Sequence, residues 1–343
     1  MLSDILNRPG APVVAKHAAL DAFCSLLGGP RPLLLRRPPG YGIDVFTSML
    51  MGRLDEGYDM EDFTLCFLDS GSWPRTGLHE YLVLNLDLSQ LDEDSTKLRH
   101  QIFRHCMSRG RAFFEDNPGA IQFMDEFPSA KSFGKDPHGI ITTLGLLLQE
   151  YGQKLIVVVN EFDAPAYQLN FFGKTKVLDR FLDGLVTASV TGMINGLLFF
   201  STNEDGIVRN CIGRTHSSEP VTVDRLTSRV VRPQDVLDIS HHPTFQTAVG
   251  FTAKEIDDLD DAFGAENVSR TSERLVDLVA RECKPAVFTS DDQHQARMEL
   301  APLDPFRKHP LRDLDWDDAD TAVYPPRDVM RLAEEKYGPF TAS

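Results

Sequence analysis

The run Lys154-Leu-Ile-Val-Val-Val-Asn-Glu-Phe-Asp163 constrains this chain more than any other stretch. Its β-branched centre has no polar face. Such a run forms a strand only when both of its faces are covered, as in the centre of a parallel sheet. It ends in Asn160, Glu161 and Asp163. In such sheets ligands bind beyond the carboxyl ends of the strands, so these residues are candidates for a site. Residues 33–35, 81–88 and 196–203 are further apolar runs. Helical patterns separate them, over about 14–27, 44–57, 94–114, 138–151 and 175–193, and a last strand is expected over 220–224. Strands alternating with helices predict an α/β fold with a parallel sheet flanked by helices.

Between the first strand and the next helix lies a Gly/Pro turn, Pro38-Pro39-Gly40-Tyr41-Gly42. Strand, glycine loop and helix N-terminus together make the phosphate cradle of P-loop nucleotidases, whose loop ends Gly-Lys-Ser/Thr. Here it ends Gly42-Ile43-Asp44. The lysine neutralises the β- and γ-phosphates, and the hydroxyl after it binds magnesium. Ile43 does neither, and Asp44 brings a negative charge. One charge pair at ~4 Å is worth roughly 4 kcal/mol at an effective dielectric of ~20, so the exchange opposes nucleotide binding. The helix N-terminus still favours an anion, and Asp44 is expected to supply one by capping its own helix. An ordinary turn is the alternative reading of this loop.

The net charge of −16 argues against a nucleic-acid-binding surface, with a local basic patch at Arg31, Arg36 and Arg37 as the exception. The 5 cysteines are odd in number and lack a Cys-x-x-Cys pair, which favours reduced thiols over disulfides or a zinc site. No N-terminal stretch resembles a signal peptide, and no apolar run approaches the ~20 residues of a membrane span. A soluble cytoplasmic or nuclear protein without a membrane partner is expected.

After about Pro243 the chain becomes rich in Asp and Pro. Thr252-Ala-Lys-Glu255 fits a capping box, and a second helix is expected over 272–283. The expected division is an α/β domain over 1–242 and a small, mainly helical lid with an acidic, Pro-rich segment over 243–343. The acidic run from Asp313 to Asp320 lacks the glycine and distal glutamate of a calcium loop. His241-His242 has no partner at metal spacing, and Asp69-Ser70-Gly71-Ser72 is not a hydrolase elbow. Glu282-Cys283-Lys284 mimics half of a nuclease site but ends a helix rather than a strand. Arg209, Arg214, Arg225 and Arg229 are finger or sensor candidates among which nothing in the sequence chooses.

In order and spacing these motifs resemble the predicted AAA-ATPase-like family. Arg37-Pro38-Pro39-Gly40-Tyr41-Gly42-Ile43-Asp44, with Ser48-Met49-Leu50 after it, stands where the family has Arg-Pro-Arg-Arg-Phe-Gly-Lys-Ser/Thr. Asn160-Glu161-Phe162-Asp163-Ala164-Pro165 stands where it has Asp-Glu-Tyr-Asp-Ala-Pro. Gly250-Phe-Thr-Ala-Lys-Glu255 and Tyr324-Pro-Pro-Arg-Asp-Val329 are further matches. The resemblance implies a P-loop NTPase-like fold of AAA type with ATP and magnesium as ligands. It implies a nucleotide loop from Arg37 to Val45, a Walker B-like set of Asn160, Glu161 and Asp163, and sensor-like Thr202 and Asn203. Glu161 matches the residue that polarises the attacking water. Ile43, Asp44 and Asn160 depart from the family at the phosphate and metal positions. The expected function is therefore an inactive or impaired ATPase serving as a scaffold or regulatory module, with an unidentified protein partner. The alternative is an atypical magnesium-dependent nucleotidase, with Arg36 or Arg37 replacing the lysine and Asp44, Glu161 and Asp163 holding the metal.

Overall fold

The four apolar runs all become parallel strands in the computed structural model. It describes residues 14, 16–27, 29, 31–55, 80–91, 97–117, 120, 127, 136–165, 176–202, 236–240, 242–266, 269–286 and 322–337. They are β1 (Leu33–Arg36), β2 (Leu82–Asp87), β3 (Leu155–Asn160) and β4 (Gly196–Ser201). A two-residue strand, β5 (Leu237–Asp238), completes one sheet in the order β2-β3-β4-β1-β5. Val157 of β3 stands opposite Leu84 and Leu197, and Leu34 of β1 opposite Phe199 and Asp238. The strand expected over 220–224 lies outside the described residues.

Side chains of a strand alternate between faces, so each face needs its own cover. Leu33, Leu35, Ile156, Val158, Leu198 and Phe200 pack under α1 (His17–Leu26) and α2 (Ile43–Leu54). Leu34, Val157, Val159, Leu197 and Phe199 pack under α3 (Leu98–Asp116), α4 (Pro137–Glu150) and α5 (Lys176–Val190). From Leu155 to Val159, β3 is 0 % exposed, which is why its sequence carries no polar face. Gly145 lets α4 settle on the chain entering β4: a Cβ there would stand 2.2 Å from the Met193 carbonyl oxygen.

A separate apolar cluster joins α6 (Ala253–Glu266), α7 (Leu275–Glu282) and α8 (Pro326–Tyr337). The expected capping box opens α6. Thr252 N donates to Glu255 Oε2 at 2.8 Å, and Glu255 N donates to Thr252 Oγ1 at 3.2 Å. In the interior Asp260 accepts from Lys336 Nζ at 2.7 Å, Tyr337 OH at 2.6 Å and Leu275 N at 3.0 Å. These bonds more than offset the burial that would raise its pKa, and hold it below the usual range. Three contacts fasten this helical bundle to the first part of the chain. Gly250 N donates to the Tyr41 carbonyl at 2.8 Å, and Pro326 lies against Gly42. Lys16 pairs with Glu255 at 2.7 Å and is 6 % exposed. Among the described residues no helix is long and apolar enough to cross a membrane.

Candidate functional site

The chain leaves β1 for the β2 side of the sheet and leaves β4 for β5 on the other side. Connections that part in this way open a crevice at the carboxyl ends of the strands. A cleft of about 800 Å³ occupies that position. Pro39 and Gly40 of the loop, with Asp44 and Ser48 of α2, form one wall. His105 and Arg109 of α3 form the opposite wall. Asn85 and Asp87 of β2, Asn160 and Glu161 after β3, and Thr202 after β4 make the floor.

The glycine loop has the turn geometry that the sequence suggests, with φ of 88° at Gly40 and 84° at Gly42. Only glycine adopts such angles without strain. Its polar groups are arranged differently from the expectation. Gly42 is the N-cap of α2, and its carbonyl accepts from Phe46 N at 3.0 Å. Asp44 is therefore the second residue of the helix and does not cap it. Ile43 is 3 % exposed and belongs to the apolar cluster beneath α2.

The two arginines before the loop are bound elsewhere. Arg36 pairs with Asp238 at 2.6 Å. Arg37 is buried and donates to the carbonyls of Arg36, Ser240 and Phe245 at 2.7, 2.7 and 2.6 Å. Burial lowers the Arg37 pKa to about 9, with Asp238 raising it and Arg36 lowering it further, so it stays charged near neutrality. Both side chains fasten β5 and the segment after it to β1. Neither lines the cleft, and neither is placed to replace a loop lysine.

The acidic motif is divided between two environments. Asn160 Nδ2 donates to Asn85 Oδ1 at 2.9 Å, across the β3–β2 pair. Glu161 has φ of 48°, a left-handed conformation that costs roughly 1–2 kcal/mol outside glycine. Its carboxylate accepts from Thr202 Oγ1 at 3.0 Å. Burial raises the Glu161 pKa; the Thr202 bonds oppose the rise, and Asp163 and Asp44 reinforce it. Asp44 is raised too, by burial and then by Asp87. Asp163 is 1 % exposed, accepts from Ser201 Oγ at 2.9 Å and does not line the cleft. Among the described residues no three His, Cys, Asp or Glu side chains are grouped to hold a metal ion. The expected set of Asp44, Glu161 and Asp163 is thus not assembled. With no cation from the loop and the carboxylates of Asp44 and Glu161 lining the cleft, these residues do not fit a magnesium-bound triphosphate.

Other sequence candidates are not among the described residues that line this cleft. Asn203, His241, residues 69–72, the acidic run and Arg209, Arg214, Arg225 and Arg229 lie outside the described residues. Glu282 is engaged with Arg281 and Arg331 at 3.5 and 3.7 Å on the surface of the helical bundle. His105, Arg109, Met51, Ser89 and Gln90 also line the cleft and carry no motif in the sequence, and Asn85 and Asp87 lie in the 81–88 run without a site signal of their own. The spacing of His105 and Arg109 puts both on one face of α3.

Residues 23–188 match the model of a family described as Predicted AAA-ATPase. By this match the segment resembles the predicted AAA-ATPase-like family. No curated protein and no solved structure matches the chain. The AAA-ATPase-like segment contains every cleft residue named above except Thr202. The parallel sheet, flanked by helices on both faces, is consistent with a P-loop NTPase-like fold.

Proposed function

We propose that this AAA-ATPase-like protein does not turn over ATP and works as an interaction or regulatory module. The observation that carries this reading is the burial of Ile43. Its side chain lies in the core where the family has its phosphate-binding lysine. Phosphoryl transfer depends on positioning and on charge stabilisation by cations. The loop here supplies no cation, Asp44 replaces the metal-binding hydroxyl, and Asn160 replaces the metal-associated aspartate. Glu161 keeps its place and its Thr202 contact, but has no held phosphate to act on. The strongly negative chain favours a protein partner over a nucleic acid.

Calorimetry with magnesium-ATP and a phosphate-release assay on the full chain test this. Neither micromolar binding nor release above background is expected. Micromolar affinity, with release that disappears in Glu161→Gln, would overturn the proposal.

A further inference from the structure

We propose that the α3 wall of the cleft is an oxyanion site, where Arg109 and His105 bind one phosphate or carboxylate group of a small molecule. The inference rests on the reading above: the loop has no cation, and α3 supplies one from across the cleft.

Arg109 Nε donates to the Asn85 carbonyl at 3.0 Å, which fixes the guanidinium at the end of β2. The nearest carboxylate to its terminal nitrogens, among the described residues, is Asp116 at 4.0 Å, at the limit of an ion pair. The Arg109 side chain is 37 % exposed and lines the cleft, so a ligand can reach it. A guanidinium anchored by one nitrogen presents the others as a fork that matches carboxylate and phosphate oxygens. His105 stands one turn earlier and also lines the cleft. Its Nε2 is buried and makes no hydrogen bond among the described residues. A buried ring nitrogen without a partner is costly, and a bound oxyanion would satisfy it.

Asp87 does not take up these donors. Its two oxygens accept from Ser89 N at 3.0 Å, Ser89 Oγ at 2.6 Å and Gln90 Nε2 at 2.9 Å. Asp44 and Glu161 limit the size of the ligand. They line the loop and floor of the same cleft, so a second phosphate reaching toward them meets negative charge. The site thus takes a single oxyanion and rejects a polyphosphate.

The test uses the full chain in magnesium-free buffer, with inorganic phosphate, acetate and pyrophosphate as probes in calorimetry and thermal unfolding. Saturable binding of phosphate or acetate is expected, and the tighter of the two tells a phosphate-bearing ligand from a carboxylate. Arg109→Gln should weaken it about tenfold in a free protein that stays folded and loses only the stability of the Asn85 bond, and Arg109→Lys should restore part of the loss. His105→Gln should weaken it less. Absence of saturable binding, equal binding by Arg109→Gln, or pyrophosphate binding more tightly than phosphate would each overturn the inference. Magnesium-ATP titrated in parallel reads the loop: its binding to both wild type and Arg109→Gln would overturn the preceding section instead.

Discussion

Ile43 shares its cluster with Phe46 and Leu50, so a lysine at this position places a charge among apolar side chains. Ile43→Lys is expected to destabilise the protein by about 3 kcal/mol in denaturant unfolding. Asp44→Thr, at an exposed position of the first helical turn, should lie within about 0.5 kcal/mol of wild type. A loop rebuilt to the family pattern would therefore lose stability before it gained a nucleotide. Asp183 of α5 gives a second test at this scale. Burial raises its carboxyl pKa from 3.8 to about 6. Its ionised form then opposes folding above pH 6 and has no such effect below the unfolded value. Asp183→Asn should raise the melting temperature at pH 7 to 8. The gain should shrink as pH falls through about 6 and vanish near about 4. The burial of Ile43 could not be read from the loop, because Gly42 takes the cap and turns the next side chain inward.

At the scale of elements, the close approach of α4 to the chain before β4 depends on one missing methyl group. A Cβ at Gly145 meets the Met193 carbonyl at 2.2 Å and Ile194 Cγ2 at 2.8 Å. Gly145→Ala should cost about 3 kcal/mol in equilibrium unfolding, despite the better helix propensity of alanine. Strands β1 to β4 and helices α1 to α5 were legible because each carries its own pattern of apolar residues. β5 was not, because two residues have no period. It exists through its register beside Leu34 and through the Arg36–Asp238 pair, and both of those are long-range facts. The signals for α8 were present: Pro326 at the first helical position, and Val329, Leu332 and Ala333 at helical spacing. The Tyr324-Pro-Pro motif ahead of this helix carries a family likeness, which draws attention from the helical period that follows it.

For the whole molecule, the helical bundle is joined to the chain before α1 by a buried ion pair. Glu255→Gln leaves Lys16 with little to balance its charge at 6 % exposure, and should cost about 3 kcal/mol in unfolding. Adding Lys16→Met should recover most of that loss, as buried pairs replaced by apolar groups often do. The cleft belongs to this scale as well. The sequence marked the glycine loop and the acidic strand end, since each is a local motif. Arg109 and Asn85 have no local mark, and they come together because β2 and α3 fold side by side. The family match stops at residue 188, whereas the strand separating β3 from β1 runs from Gly196 to Ser201. Cutting the chain to its recognisable part would remove β4 and β5, leaving the β2–β3 ribbon and β1 as a lone strand with no neighbour. Such a fragment should aggregate, and any shortened chain that still folds has to reach past the far side of β5.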